Sequence, residues 1–121
     1  MDIAAGEYGW TTMYLKTMMD AGAVDVIQAD ATRCGGVTGF MEAVALADAF
    51  PLPVSAHCAP SIHMHLACAA RPLRHVEYFH DHARIESMLF DGFRKPVKGA
   101  MYPDLTPVSY THLTLPTKRI V

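Results

Sequence analysis

The chain holds 121 residues, enough for one domain, with 51% hydrophobic and 18% charged residues, the balance of a buried globular core rather than a disordered tail. Its formal net charge of −2 and isoelectric point near 6.3 leave no basic stripe to neutralise phosphates, which excludes nucleic acid as the expected partner. Its apolar runs are broken by Asp, Glu or His well before the ~18 residues a membrane span needs, so no membrane partner is expected either.

The N-terminal MDIAAGEYGW has neither the basic region nor the long apolar core of a secretion signal, and a cytoplasmic address is the expectation. Cys34, Cys58 and Cys68 are odd in number and lack CxxC spacing, so they read as reduced thiols rather than a disulfide framework or zinc cluster.

In chain order, one pattern repeats: a short apolar run, a polar residue at its end, a turn, then a helix. Ile3 to Gly6 ends at Glu7, and a helix over about Thr11 to Asp20 is closed by Gly22, a glycine suited to the C-terminal cap. Val24 to Ala29 ends at Asp30. After Gly35-Gly36, a helix runs to about Ala49, with Val37, Phe40, Met41, Val44 and Ala47 spaced as one apolar stripe. Leu52 to Ala56 ends at His57, and Ser61 to Ala70 reads as the next helix. Leu73 to Val76 ends at Glu77. A short helix is expected over Ala83 to Phe90, then a turn-linked extended segment from Lys95 to Asp104 around Lys98-Gly99.

Strands alternating with helices predict βαβ units and a parallel sheet, an α/β fold. From Glu7 to Asp30, Asp30 to His57 and His57 to Glu77 the intervals are 23, 27 and 20 residues. One βα unit of a TIM barrel takes roughly 30 residues, so the polar residues recur with the architecture, and four units make half a barrel.

Residues at the C-terminal ends of such strands face a common site. Singly, each of the four has a bland alternative: a Glu ending a strand is commonly a solvated loop residue, a lone His a structural one, and Asp30 could cap the following helix. Together their types suit one chemistry. Glu7 is a hard oxygen ligand of the kind Mg²⁺ takes. Asp30 and His57 lie on consecutive strands, where a carboxylate accepting the imidazole N–H would orient the ring and raise its basicity. Glu77, if protonated in a dry site, would donate a hydrogen bond to a developing oxyanion. His57 and Cys58 are neighbours, and in a strand neighbouring side chains diverge, which disfavours a thiol–imidazole pair. His63-x-His65 falls on a helix, where i and i+2 do not share a face, so packing or surface is the reading there. His80-x-His82 reads as surface or support, and Met13, Met18 and Met19 as core or subunit interface.

The segments DIAAGEYGW, QADATRCGG, SAHCAPSIH and HVEYFHDHARIE resemble the fifth to eighth strand ends of the mandelate racemase subgroup of the enolase superfamily. The resemblance covers about residues 1–106. It implies the C-terminal half of a modified TIM barrel, of (β/α)7β type, in a Mg²⁺-dependent enzyme that removes the proton α to a carboxylate. By residue it implies Glu7 as a metal ligand, Asp30 and His57 as the acid–base dyad, and Glu77 as the acid beside the substrate carboxylate. The implied substrate is a small carboxylate, a sugar acid, and the implied reaction dehydration, with His57 assisting loss of the β-hydroxide. In a racemase, the alternative, His57 would exchange a proton on one face and an upstream Lys would serve the other. The full-length enzyme is expected to be a homo-oligomer.

The family also carries a Lys-x-Lys motif, two further metal-binding carboxylates and an N-terminal capping domain, none of which lies in this sequence. The expectation is therefore a fragment that is inactive alone. The final VSYTHLTLPTKRIV carries no periodicity that continues the fold, resembles a translated sequencing adapter, and makes 107–121 the expected non-native tail. A zinc-dependent barrel hydrolase, which would need an HxH on a strand, and a half-barrel serving only in binding or assembly are the rival readings.

Overall fold

In the computed structural model, which describes residues 1–105, strand and helix alternate as β1 (Ala4–Ala5), α1 (Thr12–Asp20), β2 (Val26–Ala29), α2 (Gly36–Ala49), β3 (Val54–Ala56), α3 (Pro60–Ala67), β4 (Leu73–Val76) and α4 (His80–Leu89). The strands form one sheet in the order β1-β2-β3-β4, every neighbouring pair parallel. Parallel pairing needs a crossover between strands, and α1, α2 and α3 supply them. The expected α/β architecture is present, in shorter strands than the apolar runs suggested. The expected tail, 107–121, lies outside the described residues.

Local chemistry sets the element ends. Thr11 caps α1, its hydroxyl accepting from the Tyr14 N–H at 3.2 Å. At the other end Gly22 N–H donates to the Met19 carbonyl and Ala23 N–H to that of Met18, a Schellman closure that puts Gly22 at φ +57°. Pro60 opens α3 at a position where the missing N–H costs nothing. Val97 and Ala100 form an antiparallel bridge across Lys98-Gly99, the turn expected there.

One face of the sheet carries Ile27, Ala29, Val54 and Ala56 into the helix layer, where they pack with Leu15, Met19, Phe40, Ala43, Val44 and Ala47. One sequence expectation shifts. The buried face of α2 is Gly39, Phe40, Ala43, Val44 and Ala47, while Val37 is 59% exposed. Val54 pairs with Ile27 and joins the helix-side core, on the face opposite to Val26 and Gln28. Pairing in register decides the face, because paired residues on parallel strands point the same way.

The opposite, concave face carries Ala4, Val26, Gln28, Ser55 and His75. Beside Ser55 the β3–β4 register slips, leaving Arg74 out of the pairing, and Arg74 ion-pairs with Asp2 ahead of β1. That contact joins the two edge strands of the curled sheet across a cavity of about 550 Å³ lined by Met1, Asp2, Ala4, Val26, Arg74 and His75.

Candidate active site

All four polar residues stand just beyond the C-terminal ends of their strands. Asp30 follows Ala29, His57 follows Ala56, Glu77 follows Val76, and Glu7 lies two residues past Ala5. The ladder itself sets their height: His57 N–H donates to the Ala29 carbonyl and Glu77 N–H to that of Ala56.

Asp30 and His57 meet, Nδ1 to Oδ2 at 2.9 Å. The other carboxylate oxygen of Asp30 accepts from the Thr32 N–H at 2.8 Å and the Thr32 hydroxyl at 2.7 Å, an Asx turn that leaves Oδ2 to the imidazole. Asp30 does not cap α2, whose N-cap is Gly35. Only 3% of Asp30 is exposed. Burial works against its charge, but the hydrogen bonds from His57 and Thr32 outweigh it and hold the carboxyl below its ordinary value. An ionised Asp30 accepts a hydrogen bond from the Nδ1–H and so fixes the orientation of the His57 ring, with Nε2 on the side away from Asp30.

The expectation that Cys58 diverges from His57 fails. Residue 57 is already past the strand, and Cys58 and Ala59 both adopt left-handed backbone, φ +48° and +39°. Neither is glycine, so each costs roughly 1–2 kcal/mol, strain of the kind that collects at functional sites. The bend returns the Cys58 Sγ to 3.3 Å from His57 Nε2 and 3.3 Å from Glu77 Oε2. Burial, with the Glu77 carboxylate accepting from the thiol, pushes Cys58 up to about 12. It is a protonated thiol near neutral pH, which removes it as a nucleophile.

Glu77 is not in a dry site: its side chain is 36% exposed, and Oε2 also accepts from the Cys58 N–H at 3.1 Å. Glu7 stands apart, its Oε2 accepting from the Gly6 N–H at 3.1 Å, and no other carboxylate joins it in a metal-binding group among the described residues. Arg33 links the two sides of the rim, donating to the Glu7 carbonyl at 3.1 Å, lying 3.5 Å from Asp30 Oδ2 and packing over the Tyr8 ring.

Sequence reasoning took His63 for packing or surface. It is completely buried and joins two strand-end loops: Nε2 accepts from the Ala31 N–H at 2.9 Å and Nδ1 donates to the Cys58 carbonyl at 2.7 Å. Burial, against that carbonyl's pull, lowers its proton affinity and keeps it neutral. A signal was available, since Pro60, His63, Met64 and Ala67 sit at i, i+3, i+4 and i+7 on α3. Glu86 of α4 was missed as well; its Oε2 accepts from the Ser61 N–H at 3.0 Å and hydroxyl at 2.7 Å. It thereby serves the first turn of α3, where Ala59 offers no side-chain cap. Both HxH pairs lie on helices, His63 and His65 on α3 and His80 and His82 on α4, which gives the zinc-hydrolase reading no strand motif.

Residues 1–107 match the family model described as Enolase C-terminal domain-like. This chain belongs to that family. A crystal structure of a mandelate racemase/muconate lactonizing enzyme-like protein from Rubrobacter xylanophilus is similar at 50% identity and TM-score 0.80, over 85% of this chain and 28% of that one. L-talarate dehydratase from Polaromonas sp. JS666, crystallised with Mg and L-glucarate, is 31% identical at TM-score 0.68, over 75% of this chain and 24% of that one. D-gluconate dehydratase from Thermoproteus tenax is 42% identical over 85 residues, 66% of this chain and 17% of the relative. The chain thus spans less than a third of these relatives' lengths. The family is enzymatic, with acid-sugar dehydratases and mandelate racemase-like proteins among its members, and its barrel fold is the one whose strand ends carry this site.

Proposed function

We propose that this chain is the C-terminal part of a Mg²⁺-dependent dehydratase of a small sugar acid. One observation carries the reading: the 2.9 Å bond between His57 Nδ1 and a buried Asp30 at the C-terminal rim of a parallel sheet. A histidine so oriented presents Nε2 to a substrate above the sheet, where it protonates the departing β-hydroxyl. Glu77, reached from the same opening, lies beside the substrate carboxylate. The base that removes the α-proton comes from outside these residues.

Glu7 fits Mg²⁺ in part. It is a hard oxygen donor on the rim, but among the described residues it stands without the further carboxylates such a site needs. Bound Mg²⁺ would stabilise negative charge on the substrate carboxylate as the α-proton leaves. The reading includes a cytoplasmic, homo-oligomeric enzyme. It draws support from relatives named as dehydratases and from one solved with Mg and L-glucarate.

The test is the pair His57→Asn and Asp30→Asn in the complete enzyme. Turnover should fall by roughly 10²–10⁴-fold while Mg²⁺ binding is retained, since neither residue is a proposed ligand. Near-wild-type turnover in either variant overturns the dyad. A racemase built on the same residues would exchange the α-proton without losing water, so product analysis separates the two reactions.

A further inference from the structure

We infer that His57, Cys58 and Glu77 form a binding site for a soft or borderline divalent cation such as Zn²⁺, separate from the hard oxygen donor at Glu7. The three donor atoms make a nearly closed triangle: Sγ to Nε2 3.3 Å, Sγ to Oε2 3.3 Å and Nε2 to Oε2 3.8 Å. Zinc bonds of about 2.3 Å to sulfur and 2.0–2.2 Å to nitrogen and oxygen, set tetrahedrally, put such donors roughly 3.4–3.6 Å apart. The edges found therefore need only shifts of a few tenths of an ångström.

The support for the triangle is in place as well. His57 is held at Nδ1 by Asp30, the carboxylate–histidine arrangement that orients metal-bound imidazoles. Cys58 is turned into the group by its left-handed backbone, and its N–H holds the Glu77 carboxylate. Glu77 is partly exposed, which gives an ion a way in and a fourth position for water. A sulfur–nitrogen–oxygen set selects Zn²⁺, Co²⁺ or Cd²⁺ over Mg²⁺. On binding, the Cys58 thiol proton passes to solvent and the sulfur coordinates as thiolate. The ion also takes the Nε2 lone pair of His57. Inhibition of turnover by zinc follows from this, and that consequence alone rests on His57 as the acid–base residue.

Titration of the full chain with Co²⁺ under a non-coordinating reductant tests the site. A thiolate-to-cobalt charge-transfer band, with visible bands of tetrahedral intensity, should saturate at one ion per chain and be displaced by Zn²⁺ but not by excess Mg²⁺. Cys58→Ser should abolish the charge-transfer band, and Asp30→Asn should weaken binding roughly 10–100-fold. Cys34→Ser, Cys68→Ser and Glu7→Gln should leave it unchanged. No band in the unsubstituted chain, or a band that survives Cys58→Ser or is lost with Cys68→Ser, overturns the site. Cys58→Ala and thermal unfolding of each variant guard against loss of fold. The spectra read binding without turnover, so a failed dyad leaves them intact, and a missing band sinks the site whatever the activity.

Discussion

His63 ties the loop after β2 to the loop after β3, and through those loops it bears on how Asp30 meets His57. His63→Leu would leave the Ala31 N–H and the Cys58 carbonyl without their partner, at about 1–3 kcal/mol for each buried group. A loss of roughly 3 kcal/mol is expected in urea unfolding. The pH dependence has a definite sign. The folded value of His63 lies below its ordinary one because burial disfavours the charged ring. The unfolded chain therefore binds more protons, and this part of the stability is complete above about pH 6.5 and lost as pH falls through the folded value. Asp30, also depressed when folded, acts lower: its contribution is complete above about pH 3.9 and lost as pH falls through its folded value. Urea midpoints measured across pH 5 to 7 should slope less in His63→Leu than in the unsubstituted chain, and equal slopes would refute the neutral-clamp assignment.

Among the elements, α2 depends on one close approach. A Cβ on Gly39 would lie 1.8 Å from the Cys34 carbonyl oxygen and 2.8 Å from its carbon, and backbone atoms cannot step aside cheaply. Alanine is the better helix former by about 1 kcal/mol, yet Gly39→Ala should destabilise the protein by about 1–3 kcal/mol. The Cys34 N–H donates to the Asp30 carbonyl, so the same change should disturb the dyad and lower turnover in the complete enzyme. Thermal unfolding checks the first expectation and kinetics the second; a stabilised Gly39→Ala would show that the contact relaxes freely. The alternation of elements was legible from apolar runs and turn residues, as was the position of all four polar residues at strand ends. The buried face of α2 was only half legible. Val37 fits the stripe by spacing, but it lies in the first turn of α2 and stays exposed.

For the whole molecule, the 121-residue chain alone should show no α-proton exchange or dehydration of sugar acids, with or without Mg²⁺. Glu7 has no companion carboxylates among the described residues, and the edges of β1 and β4 carry no further strand there. Incubation in D₂O with a panel of sugar acids, read by NMR, checks this; exchange that disappears with EDTA would show that the site is sufficient as it stands. What the sequence alone determined is the order of elements, the parallel sheet and the shared rim, because strand and helix periodicities are local and each polar residue sits at a fixed offset from its strand. Tertiary structure alone decided which face Val54 takes, that Cys58 turns back to His57 and Glu77, and that His63 and Glu86 brace the loops. Those outcomes depend on strand register, on two left-handed residues that no glycine announces, and on partners 25 to 32 residues away in the chain.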